Sequence, residues 1–196
     1  RGCNNAIFLA VGTGIGAGIV VDGRILRGAN DISGSVGWLG FDPHFREEFS
    51  ACGNFEYYAS GTGIARMAQQ ALTEEVQYGG QLRHKPLAEI SSHDVFAAYA
   101  ADDAIAIGVI NRCIGYWGMA VANLVSIFNP EKIIFGGGIF GPAVRFIPEI
   151  KSVAVKWAQP ISIQQADFEA SALGPDAGVY GAGYLALQSI VSPGKS

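Results

Sequence analysis

Two short apolar runs near the start of the chain predict a pair of strands. The runs are Ala6–Val11 and Gly18–Val21; the glycine-rich stretch 12–16 separates them, and the second ends in Asp22-Gly23. An Asp-Gly pair between β-formers is a strong short-range signal for a tight hairpin turn. The pattern therefore predicts a strand, a glycine turn, a second strand, an Asp-Gly turn and a third strand that ends by Arg27.

Three further segments have apolar residues at helical spacing. The predicted helices cover, in order, residues 60–78, 91–100 and about 102–129. Gly79-Gly80 ends the first helix, and Pro130 limits the third. Ser91 with Asp94 three residues later has the form of a capping box, which begins the second helix. The third segment is apolar enough to raise the question of a membrane span, but Arg112 interrupts it and charge at mid-membrane is costly. We therefore expect a buried core helix and no membrane partner.

The last third of the chain alternates strands and helices. A strand, Lys132–Phe135, runs into Gly136-Gly137-Gly138, and the residues after 191 form a tail that we expect to fray. The other predicted elements are a helix that begins near Pro142, a strand at Ile161–Gln165 and a helix at Ala177–Ile190. This alternation after an opening antiparallel hairpin predicts an α/β domain with a mixed sheet flanked by helices.

Residues 28–60 form a loop-rich region without periodicity, and a long irregular stretch inside a compact domain is usually functional.

The composition and charge of the chain narrow the classes of function that it can have. The 196 residues are 49% hydrophobic with a formal net charge of −4, and the few Lys and Arg are scattered, so we expect no nucleic-acid partner through this chain. The cysteines, Cys3, Cys52 and Cys113, lie far apart, which fits a reducing cytoplasm. Because the chain begins at Arg1 and a strand follows almost at once, we expect a longer parent protein.

The stretch Gly12-Thr13-Gly14-Ile15-Gly16 is a candidate phosphate loop, because glycines let the backbone approach a ligand and leave N–H groups for its oxygens. A dinucleotide fingerprint would open a helix, and a Walker loop would need Gly-Lys-Ser/Thr; neither pattern fits. The alternative that this stretch is an ordinary hairpin turn without a ligand remains. The Gly136-Gly137-Gly138 turn lets a flat ligand lie at the carboxyl end of a strand. Gly61-Thr62-Gly63 echoes the first loop at a helix start, by chance or as a second, weaker anion-facing turn.

An ordered set of motifs resembles the carboxyl-terminal domain of the ROK family, which comprises bacterial sugar kinases and sugar-responsive repressors. The set consists of the hairpin loop at 12–16, Arg27-Gly28-Ala29-Asn30, Ala59-Ser60-Gly61, Asn129-Pro130 before the triple glycine, and residues 173–177, Leu-Gly-Pro-Asp-Ala. The resemblance covers nearly all of residues 1–196. It implies an actin-like (ribonuclease H-like) ATPase domain, with the amino-terminal domain outside this chain and the sugar-site region at 28–60.

The resemblance also implies roles for individual residues. The phosphates of ATP would be bound by the hairpin loop, and the adenosine by the triple-glycine turn. The implied phosphate-binding residues are Gly12, Thr13, Gly14 and Gly16, and the implied adenosine-binding residues are Gly136, Gly137 and Gly138. Glu56 matches a glutamate that binds sugar hydroxyls, and a carboxylate suits that role because it accepts hydrogen bonds from two neighbouring hydroxyls. Asn30 would help to shape the sugar pocket.

The chain departs from the family pattern in two places. Where the family has Gly-Glu-x-Gly-His, this chain reads Gly-Ser-Val-Gly-Trp, so Ser35 and Trp38 stand at sugar-contacting positions. A tryptophan can stack on a sugar ring but cannot ligate a metal. The family's cysteine cluster is reduced to Cys52, and one thiol with nearby His44 does not make a closed four-ligand site, so we predict no structural zinc.

The family's catalytic base and a magnesium-linked aspartate come from the preceding domain, so we expect no catalytic residue in this chain. The resemblance implies that the parent protein phosphorylates a hydroxyl of a hexose or N-acylhexosamine with ATP, so the implied ligands are a sugar, ATP and Mg²⁺. Two alternatives remain open, a non-catalytic sugar-sensing regulator and a degenerate kinase that binds ligand without turnover. The family's dimers and the aromatic-rich loop from Trp38 to Phe55 are compatible with a homodimer.

Overall fold

The computed structural model describes residues 2–191, except for the side chains at 175, 185, 186 and 188–191. Within these residues, five strands form one mixed sheet. The strands are β1 Ala6–Val11, β2 Ile15–Val21, β3 Arg24–Ile25, β4 Lys132–Gly136 and β5 Asp167–Ala170. Their order is β3-β2-β1-β4-β5, with β1, β4 and β5 parallel and β2 antiparallel to both its neighbours. The tail predicted to fray, at 192–196, lies outside the described residues.

The opening hairpin is as predicted. β1 and β2 pair in a register that ends with Val11 opposite Ile15, and Asp22 and Gly23 both have positive φ, as a two-residue turn of this type needs. Side chains in β1 alternate between the two faces of the sheet, so Ile7 and Leu9 are fully buried on one of them. The third predicted strand is the short β3.

Seven α-helices lie in the described part of the chain. They are α1 Asn54–Ala59, α2 Gly61–Glu74, α3 Ser92–Ala100, α4 Ala104–Phe128, α5 Ile147–Ala154, α6 Pro160–Gln165 and α7 Ala177–Val191. Short 3₁₀ turns occupy Val36–Trp38, Glu47–Ala51, Gln81–His84, Leu87–Glu89, Gly138–Phe140, Pro142–Phe146 and Gly174–Asp176.

The long helix α4 is a core helix, as the sequence predicts. It is long and apolar enough to cross a membrane, but 56% of its most apolar 18-residue window is buried inside the fold. Cys113, Trp117 and Val121 have no exposed surface. The Trp117 indole N–H donates a hydrogen bond of 3.0 Å to the Ala59 carbonyl at the end of α1, so the polar atom of this buried side chain has a partner.

Two predicted elements differ from the structure. The predicted strand Ile161–Gln165 is helix α6, because the Gln159 side chain accepts the N–H groups of Ile161 and Ser162 and Pro160 occupies the first turn. The true edge strand, β5, follows it. Helix α2 ends at Glu74, short of the predicted 78, and Arg83 donates to carbonyls of its last turn.

Candidate functional site

A cleft opens at the carboxyl edge of the parallel strands. Because β1 and β4 are parallel neighbours with Ala10 opposite Gly136, the turns that follow them leave the sheet side by side. The cleft has a volume of about 450 Å³. Its lining consists of Gly12, Thr13, Gly61, Thr62, Ala65, Ser91, Ser92, His93, Gly138 and Ile139. Open α/β sheets bind ligands at this edge, so this cleft is the candidate site.

The hairpin turn presents fewer open N–H groups than the sequence suggests. The Gly12 N–H donates to the Gly14 carbonyl at 2.9 Å, and the Ile15 N–H donates to Glu56 Oε2 at 2.6 Å. Within residues 2–191 the N–H groups of Thr13 and Gly14 donate no hydrogen bond to the protein. Gly12 and Thr13 line the cleft, Gly14 faces Glu56, and Gly16 lies within β2.

The start of α2 anchors the hairpin turn. The Gly61 N–H donates to the Gly12 carbonyl at 2.7 Å, and the Thr62 hydroxyl donates to the Thr13 carbonyl at 3.1 Å. A Cβ at Gly61 would lie 3.0 Å from that Gly12 oxygen and 3.2 Å from Ile139 Cδ1, so a side chain there would crowd both walls. The site therefore includes Gly61 and Thr62. Their likeness to the hairpin loop was the sequence signal for them.

Gly12 and Gly138 both line the cleft, and at both positions there is space for a side chain. Neither has a left-handed φ, and a Cβ built on either would meet nothing within 4 Å. Gly136 and Gly137 differ, since a Cβ on Gly136 would strike the Phe8 ring and one on Gly137 would lie 2.4 Å from the Val11 carbonyl oxygen. Packing therefore explains the first two glycines of the triple-glycine turn, but it does not explain Gly12 or Gly138.

Two helix N-termini point into the cleft. The first turns of α2 and α3 contribute to the lining, and the lining side chains include no Asp, Glu, Lys or Arg. Helix N-termini carry partial positive charge and open N–H groups, so the lining suits an anion held by neutral donors. The α3 residues Ser92 and His93 were missed from the sequence, although the capping box beside them was recognised.

The capping box that begins α3 is complete. Ser91 and Asp94 bond each other's backbone N–H groups, and Lys85 Nζ lies 2.8 Å from Asp94 Oδ2. Lys85 first, then Ser91, lower the pKa of Asp94 to about 2. The Asp94 carboxylate, one residue beyond the lining residue His93, is thus already paired, which limits its repulsion of an anionic ligand.

A second, smaller cavity adjoins the first at Gly138. It has a volume of about 250 Å³, and the rest of its lining is mostly apolar. The lining residues are Phe135, Gly136, Gly137, Gly138, Phe140, Gly141, Val144, Ala170, Ser171 and Gly174. The triple-glycine turn therefore borders both the cleft, whose lining includes Ser, Thr and His side chains, and this apolar cavity. The hairpin loop shares the cleft with it.

Glu56 lies beside the hairpin turn and is not among the residues that line the cleft. It belongs to α1, which the sequence left inside the loop-rich region, and its half-buried carboxylate accepts the Ile15 N–H. A Cβ on Gly14 would lie 2.8 Å from Glu56 Oε2, and one on Gly37 would lie 3.0 Å from the same atom. The carboxylate thus fills the space between the hairpin and the turn that contains Trp38.

The other predicted sugar residues are less closely joined to Glu56. Trp38 is 57% exposed, and its backbone packs against Gly53, whose left-handed φ and close contacts exclude a side chain. The Ser35 hydroxyl donates to the Ile32 carbonyl at 2.8 Å. Asn30 is exposed in a turn, and no hydrogen bond connects it to Glu56 within the described residues. The structure brings Glu56 and the hairpin together, with Trp38 one residue beyond Gly37.

Among the described residues, Cys52 and His44 do not belong to a cluster of metal-binding side chains. His44 pairs with Asp42 at 3.0 Å, and burial, followed by the nearby Glu56 carboxylate, raises the pKa of the Cys52 thiol. No group of three or more His, Cys, Asp or Glu suited to a metal ion occurs among the described residues. The absence of a structural zinc stays a prediction.

Comparisons with known proteins show the family to which the chain belongs. The model of the ROK family matches residues 1–189. A glucokinase of Halalkalibacterium halodurans is 37% identical over 192 residues, which is 95% of this chain and 57% of that protein. The chain therefore spans little more than half the length of this relative.

Solved structures of ROK proteins share the fold. A ROK family glucokinase from Streptomyces griseus, solved with glucose and AMPPNP, superposes with a TM-score of 0.81 at 25% identity, covering 96% of this chain and 62% of that one. A ROK family transcriptional regulator, a homologue of the E. coli MLC protein, gives 0.74 at 30% identity over 85% of this chain and 41% of that one. The expected actin-like fold is confirmed.

Proposed function

The chain belongs to the ROK family, and from that premise we propose that it forms the nucleotide-binding half of an ATP-dependent sugar kinase. One observation carries the proposal. At Gly12 and Gly138, both the backbone conformation and the packing would allow a side chain, yet each residue is a glycine. Both glycines line the same cleft, which the N-termini of two helices also line. A ligand that needs the space and the neutral donors accounts for both glycines.

We assign the polar cleft to the phosphates of ATP. The N–H groups of Thr13 and Gly14 and the first turns of α2 and α3 would donate to phosphate oxygens. Gly12 would give clearance, while Gly16 lies in β2, the strand that follows the turn. The adenosine would lie along Gly136, Gly137 and Gly138 against the apolar cavity. The two spaces meet at Gly138, so one extended nucleotide can occupy both.

The sugar would lie on the other side of the hairpin. Glu56 would accept hydrogen bonds from sugar hydroxyls, and the exposed Trp38 indole would stack on the apolar face of the ring. Asn30 and Ser35 would shape the rim. In this proposal the sugar hydroxyl and the terminal phosphate would lie on either side of the turn 12–14, an arrangement that suits transfer between them. The substrate class is a hexose or an N-acylhexosamine.

The reaction would be in-line transfer of the γ-phosphoryl group to a sugar hydroxyl, governed by positioning and charge stabilisation. The described site contains no free carboxylate next to the cleft, so the base that accepts the hydroxyl proton would come from the part of the protein outside this chain. Any protein ligands of Mg²⁺ would also come from outside this chain, and phosphate oxygens would provide the remaining ligands of the ion. We place the protein in the cytoplasm, where ATP is available.

A substrate screen with the full-length protein tests the proposal. ATP consumption is measured with glucose, mannose, N-acetylglucosamine and N-acetylmannosamine, for the wild type and for Glu56→Gln. We expect turnover of at least one sugar, and a loss of at least tenfold in its kcat/KM in the variant, because an amide accepts with one oxygen only. Glu47→Gln, an exposed carboxylate of the same region, is the matched control and should leave kcat/KM unchanged. Unchanged turnover in Glu56→Gln would remove Glu56 from the sugar site.

A second function, sugar sensing without catalysis, is favoured by the similarity to the ROK transcriptional regulator and by Ser35 and Trp38 at sugar-contacting positions. The same screen discriminates. Sugar binding in calorimetry without ATP consumption supports a sensor or a degenerate kinase, and a DNA-binding helix-turn-helix in the amino-terminal part would distinguish the sensor.

A further inference from the structure

We infer that the hairpin turn positions the Glu56 carboxylate and thereby couples the nucleotide site to the sugar site. The inference rests on the proposed function, because it concerns how the two proposed subsites communicate. Its starting point is the hydrogen bond of 2.6 Å from the Ile15 N–H to Glu56 Oε2, which links residues 41 positions apart in the chain. The donor is a backbone group of the loop assigned to phosphates.

Two glycines fit around this carboxylate. A Cβ on Gly14 would lie 2.8 Å from Glu56 Oε2 and 3.3 Å from Oε1, and one on Gly37 would lie 3.0 Å from Oε2. Neither glycine has a left-handed φ, so backbone conformation does not require glycine at either position. The Glu56 side chain fills the space that Gly14 leaves, and it shares the space beside Gly37 with the Ile15 carbonyl, whose oxygen would lie 2.9 Å from a Cβ on Gly37. The carboxylate is therefore seated by the hairpin from one side and by the turn before Trp38 from the other.

The two oxygens of Glu56 have different environments. Oε2 accepts the Ile15 N–H, while Oε1 accepts no hydrogen bond from the described residues. A carboxylate oxygen without a partner can accept from a hydroxyl group. We therefore assign Oε1 to the sugar and Oε2 to the hairpin. A ligand that fixes the hairpin also fixes the sugar acceptor, and by linkage the sugar must stabilise the hairpin to the same extent.

The substitution Gly14→Ala in the full-length protein isolates this contact. The new methyl group meets the end of a flexible side chain, so the carboxylate moves aside while the backbone can stay in place. Sugar affinity without nucleotide is measured by calorimetry with glucose, mannose, N-acetylglucosamine and N-acetylmannosamine. We expect the Kd of the tightest of these sugars to rise about tenfold, the effect of losing one hydrogen bond to a charged group. Gly108→Ala, which adds a methyl group in open space on α4, is the control and should not change the Kd.

A double-mutant cycle shows whether the effect passes through Glu56. Glu56→Ala alone should weaken sugar binding at least as much as Gly14→Ala. In the Glu56→Ala background, adding Gly14→Ala should change the sugar Kd by less than about twofold, because the displaced group is gone. Equal effects of Gly14→Ala in both backgrounds would overturn the inference.

The nucleotide side provides an independent readout. Glu56→Ala leaves the Ile15 N–H without its acceptor and should weaken AMPPNP binding several-fold in the absence of sugar, whereas Glu56→Gln retains an oxygen and should rescue it. AMPPNP affinity unaffected by Glu56→Ala would contradict the coupling. The outcomes separate the two proposals: a wild type that binds none of the sugars overturns both, whereas a wild type that binds sugar with an unchanged Gly14→Ala variant overturns the coupling alone.

Discussion

At the scale of single residues, the glycines of this chain lack side chains for different reasons. Gly137 has a left-handed φ and touches the backbone of β1, Gly14 leaves room for a carboxylate, and Gly12 and Gly138 leave room for nothing within the protein. A sequence shows only that glycine is present. Whether the missing side chain serves the backbone, a neighbouring residue or a ligand depends on atoms that lie far away in the chain.

Gly12→Val should block the cleft without harming the fold. Its branched side chain would enter space that the protein leaves empty, so we expect AMPPNP affinity in the full-length protein to fall at least tenfold while the melting temperature changes little. Calorimetry and thermal unfolding provide the two measurements. Gly79→Val, also without neighbours within 4 Å but away from the cleft, is the matched control. Normal AMPPNP binding by Gly12→Val would refute the phosphate assignment.

The sequence suggested candidate residues for the site but not the contacts between them. Glu56 and the hairpin could each be singled out, but the bond between them depends on α1, which local patterning did not reveal. Likewise, Ser92 and His93 carry no distinctive motif, and they reach the cleft because α3 begins there. Asn30 and Ser35 were chosen by resemblance, and their roles stay predictions.

At the scale of elements, local signals succeeded where one turn chemistry dominated. The Asp-Gly turn, the capping box at Ser91 and the glycines after β4 each fix a boundary by backbone preference, and the structure has all three. The stretch at 161–165 failed because alternating apolar residues suggest a strand, whereas the Gln159 cap and Pro160 begin a helix. The strand that does follow is an edge strand with mostly exposed side chains, so hydrophobicity gave no signal for it.

The capping box makes the stability of α3 depend on pH. The folded pKa of Asp94, about 2, lies below the ordinary 3.8, so its stabilisation is complete above the ordinary value and is lost as the pH falls through 2. Asp94→Ala in the full-length protein should lower the free energy of unfolding by about 1 kcal/mol at pH 6. This difference should shrink between pH 4 and pH 2.

Urea unfolding at pH 6, 4 and 3 measures the difference. Glu89→Ala, an exposed acid just before α3, is the control and should show no comparable effect. A difference between wild type and Asp94→Ala that stays constant down to pH 3 would show that the charge of Asp94 does not act through the cap.

At the scale of the whole molecule, α4 connects the two walls of the cleft. Trp117 donates to the Ala59 carbonyl just before α2, and its ring packs on Phe140 with centroids 5.3 Å apart, just after Gly138. One fully buried side chain therefore touches the supports of both walls. Composition and apolar pattern predicted a core helix here. They could not predict which of its residues would bridge the walls, because that depends on tertiary packing.

Trp117→Phe should destabilise the protein, because the Ala59 carbonyl loses its donor and a cavity remains. We expect a decrease of about 2 to 3 kcal/mol in the free energy of unfolding, measured by urea denaturation of the full-length protein. Trp157→Phe is the matched control: Trp157 is 67% exposed, so its change should stay within about 0.5 kcal/mol. Equal effects of the two substitutions would contradict the bridging role of Trp117.

The cleft is assembled from four segments that are scattered through the chain, at residues 12–13, 61–65, 91–93 and 138–139. During synthesis on the ribosome, the first three emerge well before the fourth. A nascent polypeptide that has not yet reached Gly138 contains the hairpin and the segments of α2 and α3, but it lacks the part of the cleft that residues 138–139 form. If the cleft binds the phosphates of ATP as proposed, nucleotide recognition would be acquired late in translation, and ATP would act as a ligand of the finished fold but not as a template for its early stages.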